Sequence, residues 1–337
     1  MSAFTLLSAT YSACLFLFLY RIVEAALLRF SSSSAPPHPP PPSSLVRTSY
    51  LELPSETLHF GDPSSCKRLL IVFPGNPGAP LFYFDVCSYL FSAAPRGSLA
   101  IAVVGYAGHS AGSHGGHLFP RVHGLRAQVA HGVAAARALA ARTPRGCTVL
   151  LAGHSIGAHV ALTAARAALP RAVAKTVLWF PTIHHIGRSP NGVALLPLMR
   201  FGRGALAAAA GVLACLPRRA RLAVARWRLP HASPATMAAA LSLLHPAVPV
   251  NALWMALQEM EEVLAVEPAG GDNVVAYYGE SDPWNLPGDV EEVAARLPRA
   301  TLLRCKEGHP HGFVLDARSA ARVAELTWGW IKDVVTE

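Results

Sequence analysis

The chain has 337 residues, 52% of them hydrophobic, and a formal net charge of +9. This length fits one large domain with an insertion and does not require a second domain. The six cysteines follow no repeated spacing, which argues against a disulfide framework and favours a reducing compartment. No nucleic-acid-binding motif accompanies the charge, so an anionic phospholipid surface is a better expected partner than nucleic acid, unless the Ala, Arg and Pro richness only reflects the base composition of the gene.

The first 30 residues predict a hydrophobic membrane anchor. Residues 1–20 carry no charge, and an apolar stretch of about 20 residues is just long enough to span a bilayer. Arg21 and Arg29 follow it, a placement that would keep the rest of the chain in the cytosol. A helix lying in the membrane interface is the alternative, whereas a cleaved secretory signal is not expected, because a positive start and a small-residue cleavage site are missing. Residues 31–44, rich in Pro and Ser, predict a stiff or disordered linker.

Residues 45–337 predict an α/β domain in which strands and helices alternate. Apolar and β-branched runs predict the strands, and longer alanine- or leucine-rich runs predict the helices. In chain order, the predicted strands are 49–53, 56–60, 68–73, 98–104, 147–152, 176–180, 273–278 and 300–305, and the predicted helices include 82–93, 125–142 and 158–166. This alternation favours a mostly parallel, doubly wound sheet with helices on both faces.

The sequence GHSIG at residues 153–157 predicts a catalytic serine. It lies between a predicted strand and a predicted helix, which is the context of a nucleophile elbow. The sharp turn strains the serine backbone, so its flanking Gly153 and Gly157 must be small. The helix N-terminus behind Ser155 favours the negative charge that develops during acyl transfer. The five-residue pattern alone is a common chance match, so the strand and the helix around it support Ser155 as the nucleophile.

Two backbone N–H groups are predicted to form an oxyanion hole. The first belongs to Ile156, the residue after the nucleophile, and the second to a loop after an early strand. That loop reads PGNPG at residues 74–78, and its glycines permit a close backbone approach that leaves the Asn76 N–H available as a donor. A plain Pro/Gly turn is the alternative interpretation of this loop.

A long region without carboxylates narrows the search for a catalytic acid. From Val86 to Gln258 the chain has no Asp or Glu. In α/β-hydrolases the acid follows the serine and precedes the histidine in the chain. Asp282 follows the strand predicted at 273–278, at the edge where parallel sheets place functional groups, so it is the predicted acid. Glu280 is a weaker rival, and capping of a turn is the alternative role of Asp282.

Two histidines after the last predicted strand compete for the role of general base. His311 precedes a glycine and an aromatic residue, whereas His309 precedes a proline that restricts its backbone. An unhindered hydrogen bond to the serine favours His311 as the base. The chain has no H-E-x-x-H motif and no Cys/His cluster with zinc spacing, so no metal and no other cofactor is predicted.

A long connection between two predicted strands indicates a helical cap. About ninety residues separate the strand at 176–180 from the strand at 273–278, far more than an ordinary α/β connection, and the predicted cap insertion covers residues 186–268. Apolar segments at 193–199 and 205–216 precede a cluster of arginines. This composition suits a lipid surface, and it equally suits ordinary cap helices over an active site.

The ordered motifs of this chain resemble those of the lipid droplet-associated hydrolases. The motifs that carry the resemblance are PGNPG at 74–78, GYAGH at 105–109, GHSIG at 153–157, YYG at 277–279 before Asp282, and HGFVL at 311–315. The resemblance extends from about residue 50 to the C-terminus. It implies an α/β-hydrolase fold of the serine lipase or esterase type, with Ser155, Asp282 and His311 as the triad. It also implies residence on lipid droplets and the endoplasmic reticulum and a lipid ester as substrate.

The chain departs from the family pattern in two places. The hydrophobic start with its Pro/Ser tract is not a family feature, and Gly312 stands where an alanine is expected. The sequence thus predicts a cytosol-facing, membrane- or droplet-bound serine hydrolase that works by two-step acyl transfer. An acyltransferase or thioesterase could use the same site. A non-enzymatic droplet-binding protein that retains the fold is the other alternative, against which the complete and correctly ordered triad argues.

Overall fold

The computed structural model describes residues 43–114, 121–169, 173–266 and 273–336. The anchor predicted at residues 1–30 and most of the linker predicted at 31–44 lie outside these residues. The linker boundary differs slightly from the expectation, because the first strand already begins at Ser43.

The described residues form one eight-stranded, mostly parallel sheet with the order β1-β2-β4-β3-β5-β6-β7-β8. Only the β1–β2 and β2–β4 pairs of this sheet are antiparallel. The strands are β1 (Ser43–Tyr50), β2 (Leu53–Phe60), β3 (Arg68–Phe73), β4 (Leu99–Val104), β5 (Thr148–His154), β6 (Val173–Trp179), β7 (Val274–Tyr278) and β8 (Thr301–Arg304). The central strands are buried on both faces, as expected of parallel strands covered by helices.

Helices cover the two faces of the sheet and fill the long connection between β6 and β7. The helices are α1 (Phe84–Ala93), α2 (Leu125–Ala141), α3 (Ile156–Ala167), α4 (Pro190–Phe201), α5 (Arg203–Cys215), α6 (Arg218–Arg228), α7 (Pro234–Ser242), α8 (Ala247–Glu262), α9 (Asp289–Arg296) and α10 (Ala317–Thr336). Alternate residues of β3 enter different cores: Leu69 and Ile71 pack towards α2 and α3, and Leu70 packs towards α1 and α10. The prediction of a doubly wound α/β fold is therefore confirmed.

The strand predicted at 49–53 is wrong in its position. Leu51 and Glu52 form the turn of a hairpin between β1 and β2, and both have positive φ, at 53° and 61°. Two-residue hairpin turns with positive φ usually contain Gly, Asn or Asp. Because this turn contains neither glycine nor asparagine, the β-rich sequence around it reads as a continuous strand.

Five helices, α4 to α8, form a cap between β6 and β7 in the described part of this connection. Helix α8 contacts α4 and α5 within the cap and α2 in the core, and α7 packs on the short 3₁₀ helix at Pro80–Tyr83. Among the described residues no single helix is long and apolar enough to cross a membrane. The bent pairs α4–α5 and α7–α8 reach the required length and hydropathy only as pairs.

Candidate active site

The residues predicted to act together lie at the carboxyl ends of four parallel strands. The PGNPG loop follows β3, Ser155 follows β5, and Asp282 and His311 lie in the loops after β7 and β8. Parallel strands end at the same edge of a sheet, and ligand sites in open α/β sheets form in that crevice. The order of the strands thus brings together side chains that are up to about 240 residues apart in the chain.

Ser155 occupies the strained turn that the GHSIG motif predicts. Its backbone has φ 54° and ψ −126°, a conformation that is costly for a residue other than glycine. A Cβ atom on Gly153 would overlap the backbone of Gly157, and a Cβ on Gly157 would overlap the carbonyl group of Phe73. Only glycine therefore fits at either position, and the turn lifts the Ser155 side chain between the end of β5 and the start of α3.

The structure places Ser155, His311 and Asp282 in one hydrogen-bonded row. The Ser155 hydroxyl lies 2.9 Å from Nε2 of His311, and Nδ1 of His311 lies 2.6 Å from Oδ2 of Asp282. The Asp282 side chain is almost fully buried, and its Oδ1 accepts a hydrogen bond from the Trp284 backbone N–H. This arrangement allows the carboxylate to fix the tautomer of the imidazole and orient it toward the hydroxyl.

The two rival residues lie in positions that serve other contacts. Nδ1 of His309 is 3.3 Å from the Ser319 hydroxyl, and Nε2 of His309 is 3.4 Å from a carboxylate oxygen of Glu307. Glu280 is exposed on the turn after β7. The geometry thus favours His311 and Asp282 over their rivals, while their catalytic roles remain predictions.

The loop after β3 lies against the nucleophile. A Cβ atom on Gly75 would lie 3.1 Å from Cβ of Ser155, so the backbone of this loop approaches the serine closely. The N–H of Gly75 donates to the Tyr83 hydroxyl, and the N–H of Gly78 donates to Nδ1 of His109. Between these two occupied donors lies Asn76, the predicted oxyanion-hole residue. Ile156, the other predicted donor, is the first residue of α3 and directly follows Ser155.

The sequence of this chain matches a known protein family over most of its length. A sequence model described as lipid-droplet associated hydrolase matches residues 66–314. The chain belongs to the lipid droplet-associated hydrolase family. The protein with this name from Rattus norvegicus is 28% identical over 292 residues, which cover 80% of this chain and 86% of the relative. The one from Gallus gallus is 27% identical over 300 residues, which cover 84% and 91%.

Solved structures similar to this lipid droplet-associated hydrolase family member confirm the α/β-hydrolase fold. A membrane phospholipase A, described as a bacterial virulence factor, has a TM-score of 0.59 at 17% identity and covers 99% of this chain and 97% of its own. A thermophilic esterase from Thermogutta terrifontis has a TM-score of 0.54 at 17% identity and covers 86% and 99%. A thioesterase domain from the curacin biosynthetic pathway has a TM-score of 0.56 at 15% identity and covers 85% and 99%.

This family member has a buried hydrogen-bond chain beneath the candidate site that sequence analysis did not predict. His154 Nε2 lies 2.8 Å from the carbonyl oxygen of His311, and Nδ1 lies 2.7 Å from the Tyr83 hydroxyl. A carbonyl oxygen can only accept, so Nε2 carries the proton and Nδ1 accepts from Tyr83, which in turn accepts from Gly75 N–H. Burial, together with the nearby His311, lowers the pKa of His154 to about 3, so the ring stays neutral.

Thr182 is a second residue that sequence analysis missed. It follows β6, is buried, and places its hydroxyl 3.3 Å from the Ser155 hydroxyl. Its backbone N–H also donates to the Ser155 carbonyl oxygen. Thr182 belongs to no recognisable motif. Its position just after a central strand could have indicated it, because ligand sites in open α/β sheets lie beyond the carboxyl ends of the strands.

Within the described ranges, no group of three or more His, Cys, Asp or Glu side chains is arranged to hold a metal ion. The row of Ser155, His311 and Asp282 can perform acyl transfer with protein groups alone, because a hydroxyl, an imidazole and a carboxylate supply nucleophile, base and orienting charge.

Proposed function

We propose that this family member is a serine hydrolase of lipid esters. The observation that carries the proposal is the hydrogen-bonded row of Ser155, His311 and Asp282 at a strained strand-to-helix turn. A protein that only binds lipid has no need for a hydroxyl, an imidazole and a buried carboxylate in this order. The lipid character of the substrate is supported by the names of the relatives, which describe hydrolases associated with lipid droplets.

The geometry supports a two-step mechanism. The Ser155 hydroxyl attacks the ester carbonyl carbon while Nε2 of His311 takes its proton, and Asp282 stabilises the resulting imidazolium. The N–H groups of Asn76 and Ile156 receive the oxyanion of the tetrahedral intermediate. His311 then gives its proton to the leaving alcohol, and an acyl group remains on Ser155. Water attacks this acyl-enzyme with His311 again as base, and the carboxylic acid leaves.

Labelling with a fluorophosphonate tests the function directly. The Ser155 oxygen should displace fluoride from phosphorus, so that the intact chain gains the mass of the phosphonyl group on the peptide containing Ser155. The heat-denatured chain is the control, because labelling depends on the folded row of hydrogen bonds. A folded chain that remains unlabelled, and that also fails to hydrolyse short acyl esters, would leave the alternative of a lipid-binding protein with a retained hydrolase fold.

We also propose that the cap is the surface that contacts lipid. Val193, Phe201, Val212 and Trp227 are large apolar residues on α4, α5 and α6, and between 50% and 82% of each is exposed. Every residue of α6 is at least partly exposed, and this helix carries several arginines. Exposed apolar side chains beside cations suit insertion into a lipid surface whose phosphates pair with the cations.

The predicted anchor at residues 1–30 and the cap would attach the domain by two independent contacts. The anchor would hold the protein at the endoplasmic reticulum with the catalytic domain in the cytosol. This part of the proposal rests on the sequence alone. The cap belongs to the proposal of droplet binding, where apolar side chains bury area in loosely packed lipid.

A chain that begins at Ser43 separates these two contacts. It keeps β1 intact and removes the predicted anchor. We expect it to reach droplets in lipid-loaded cells, with a larger soluble fraction than the full chain. The variant Phe201→Ser/Val212→Ser in the same shortened chain should be diffuse, whereas Val122→Ser, an exposed valine outside the cap, should behave like the parent. A diffuse cytosolic distribution of the shortened parent chain in lipid-loaded cells would contradict droplet binding by the cap.

A further inference from the structure

Helix α8 of the cap contributes a buried carboxyl group to the loop beside the nucleophile. Glu259 is only 5% exposed, and its Oε1 accepts a hydrogen bond of 2.9 Å from Nδ2 of Asn76. The same Nδ2 donates to the carbonyl oxygen of Ala252 at 2.8 Å. Ala252 and Glu259 lie about two helical turns apart on one face of α8. Both hydrogens of the Asn76 carboxamide are therefore held by this one helix.

Asn76 differs in this respect from its neighbours in the loop. The N–H groups of Gly75 and Gly78 are held by Tyr83 and His109, which belong to the core domain. The side chain of Asn76 is held by the cap. A displacement of α8 would therefore loosen the middle of the loop while its two ends stay in place.

The burial of Glu259 is unfavourable for folding. Burial raises the pKa of its carboxyl group to about 7, and the hydrogen bond from Asn76 only partly opposes this effect. The ordinary pKa of a glutamate is about 4.5, and the folded state raises it to about 7. The free energy of unfolding therefore decreases as the pH rises from about 4.5 through about 7, because the folded protein holds the proton more tightly than the unfolded chain does. An uncharged glutamine of nearly the same shape would not lose stability over this pH range.

Resting on the serine-hydrolase function proposed above, we propose that Glu259 is a positioning residue of the oxyanion hole. The carboxylate fixes the Asn76 side chain and so holds the Asn76 backbone N–H toward the oxyanion on the Ser155 side of the loop. Full catalytic power then requires that α8 is seated on the core. A charged acceptor makes this hold stronger than a neutral one, since charge-assisted hydrogen bonds are roughly twice as strong.

The ionisable groups that lie nearest to this part of α8 make contacts with groups other than Asn76. The Tyr106 hydroxyl faces Glu259 from the loop after β4 and donates to the carbonyl oxygen of Pro74. Arg126 on α2 pairs with Glu262, and Arg200 on α4 pairs with Glu261. The guanidinium of Arg203 on α5 lies 4.7 Å from the centre of the Trp254 ring. Among these groups, Glu259 is the one whose protonation directly changes the hydrogen bond to the Asn76 side chain.

The same contacts connect the oxyanion loop with the apolar surface of the cap. Helix α8 packs against α4 and α5, which carry the exposed Phe201 and Val212. The helices that would contact lipid, as proposed above, are thus the ones that pack directly on α8. The hydrogen bond between Glu259 and Asn76 then connects α8 to the loop after β3, next to Ser155.

Labelling rates with a fluorophosphonate test this role in the purified full-length protein. The variants are Glu259→Leu, which removes the acceptor, Glu259→Gln, which keeps a neutral acceptor, and Glu261→Gln, a matched control on the exposed face of the same helix. We expect Glu259→Leu to label at least about tenfold more slowly, a smaller loss than the roughly 10²- to 10³-fold found when an oxyanion donor is removed, because the Asn76 N–H is still present. The control should label within about twofold of the wild type. With p-nitrophenyl butyrate, kcat should fall in Glu259→Leu and KM should change little.

The dependence on pH separates a positioning role from a structural one. The rate ratio of wild type to Glu259→Gln should rise about threefold from pH 6 to pH 8, because the wild-type carboxyl group ionises in this range and the glutamine does not. Protonation of the histidine base changes the labelling rates of both proteins in the same way, so its contribution cancels in the ratio. Over the same range the melting temperature of Glu259→Gln should rise relative to that of the wild type.

A ratio that stays constant between pH 6 and pH 8, or a folded Glu259→Leu protein that labels at the wild-type rate, would overturn the role of Glu259. If Glu259→Leu fails to fold, the pH series with Glu259→Gln still decides. An unlabelled wild-type protein would instead contradict the serine-hydrolase function itself, so the two failures are distinguishable.

Discussion

Replacing His311 with alanine should lower kcat roughly 10⁴- to 10⁶-fold, the range found when the base of a serine triad is removed. The imidazole is the group that contacts the Ser155 hydroxyl at 2.9 Å on the side of Asp282, and without it the hydroxyl has no base to take its proton. The measurement is the hydrolysis of a short acyl ester together with fluorophosphonate labelling, and both should be lost.

His309→Ala is the matched control for this variant. His309 lies two positions away in the same loop and contacts Ser319 and Glu307. Its removal should leave kcat within about twofold to threefold of the wild type, with at most a small decrease in thermal stability, as expected of a substitution outside the site. Normal turnover in His311→Ala combined with loss in His309→Ala would show that the base has been assigned to the wrong histidine.

The second large effect is expected for Asp282→Asn, which should lower kcat by about 10⁴-fold. An asparagine keeps the shape of the side chain and can still accept the hydrogen bond from Trp284 N–H through its amide oxygen. It cannot supply the negative charge that stabilises the imidazolium, and its amide hydrogens can favour the wrong histidine tautomer. The melting temperature should fall only slightly, because the contact with Trp284 remains and, within this loop, the substitution removes only the long hydrogen bond, 3.3 Å, that Asn285 Nδ2 donates to Oδ2 of Asp282.

Glu280→Gln is the control for the acid. Glu280 is exposed at the end of β7, so its substitution should leave both turnover and stability close to those of the wild type. Full activity in Asp282→Asn with loss in Glu280→Gln would move the assignment of the acid to Glu280.

The sequence predicts best those parts of the molecule that depend on local chemistry. The elbow is recognisable because a strained serine needs glycines on both sides, and the packing of Gly153 and Gly157 shows why. The gap without carboxylates leaves Asp282 few rivals. The fold follows from the alternation of strands and helices, since parallel strands require crossover connections.

The residues that sequence analysis missed act through contacts between distant segments. Tyr83 accepts from Gly75 in the loop after β3 and donates to His154, yet in the sequence it is only one aromatic residue of a predicted helix. Thr182 and Glu259 are polar residues in segments without a motif, and their burial becomes visible only when the chain folds. The hairpin turn at Leu51 was missed for a different reason, because its residue types are unusual for positive φ.

The two sets of contacts around the nucleophile have a consequence for the exchange of parts between related hydrolases. The hydrogen bonds from Gly75 through Tyr83 and His154 to His311 join core residues only, so an exchange of the cap leaves them intact. The cap is one continuous insertion between β6 and β7, so it can be exchanged separately from the core. The hydrogen bond between Asn76 and Glu259 crosses the junction between the two parts, so a chimaera preserves it only if it carries both residues.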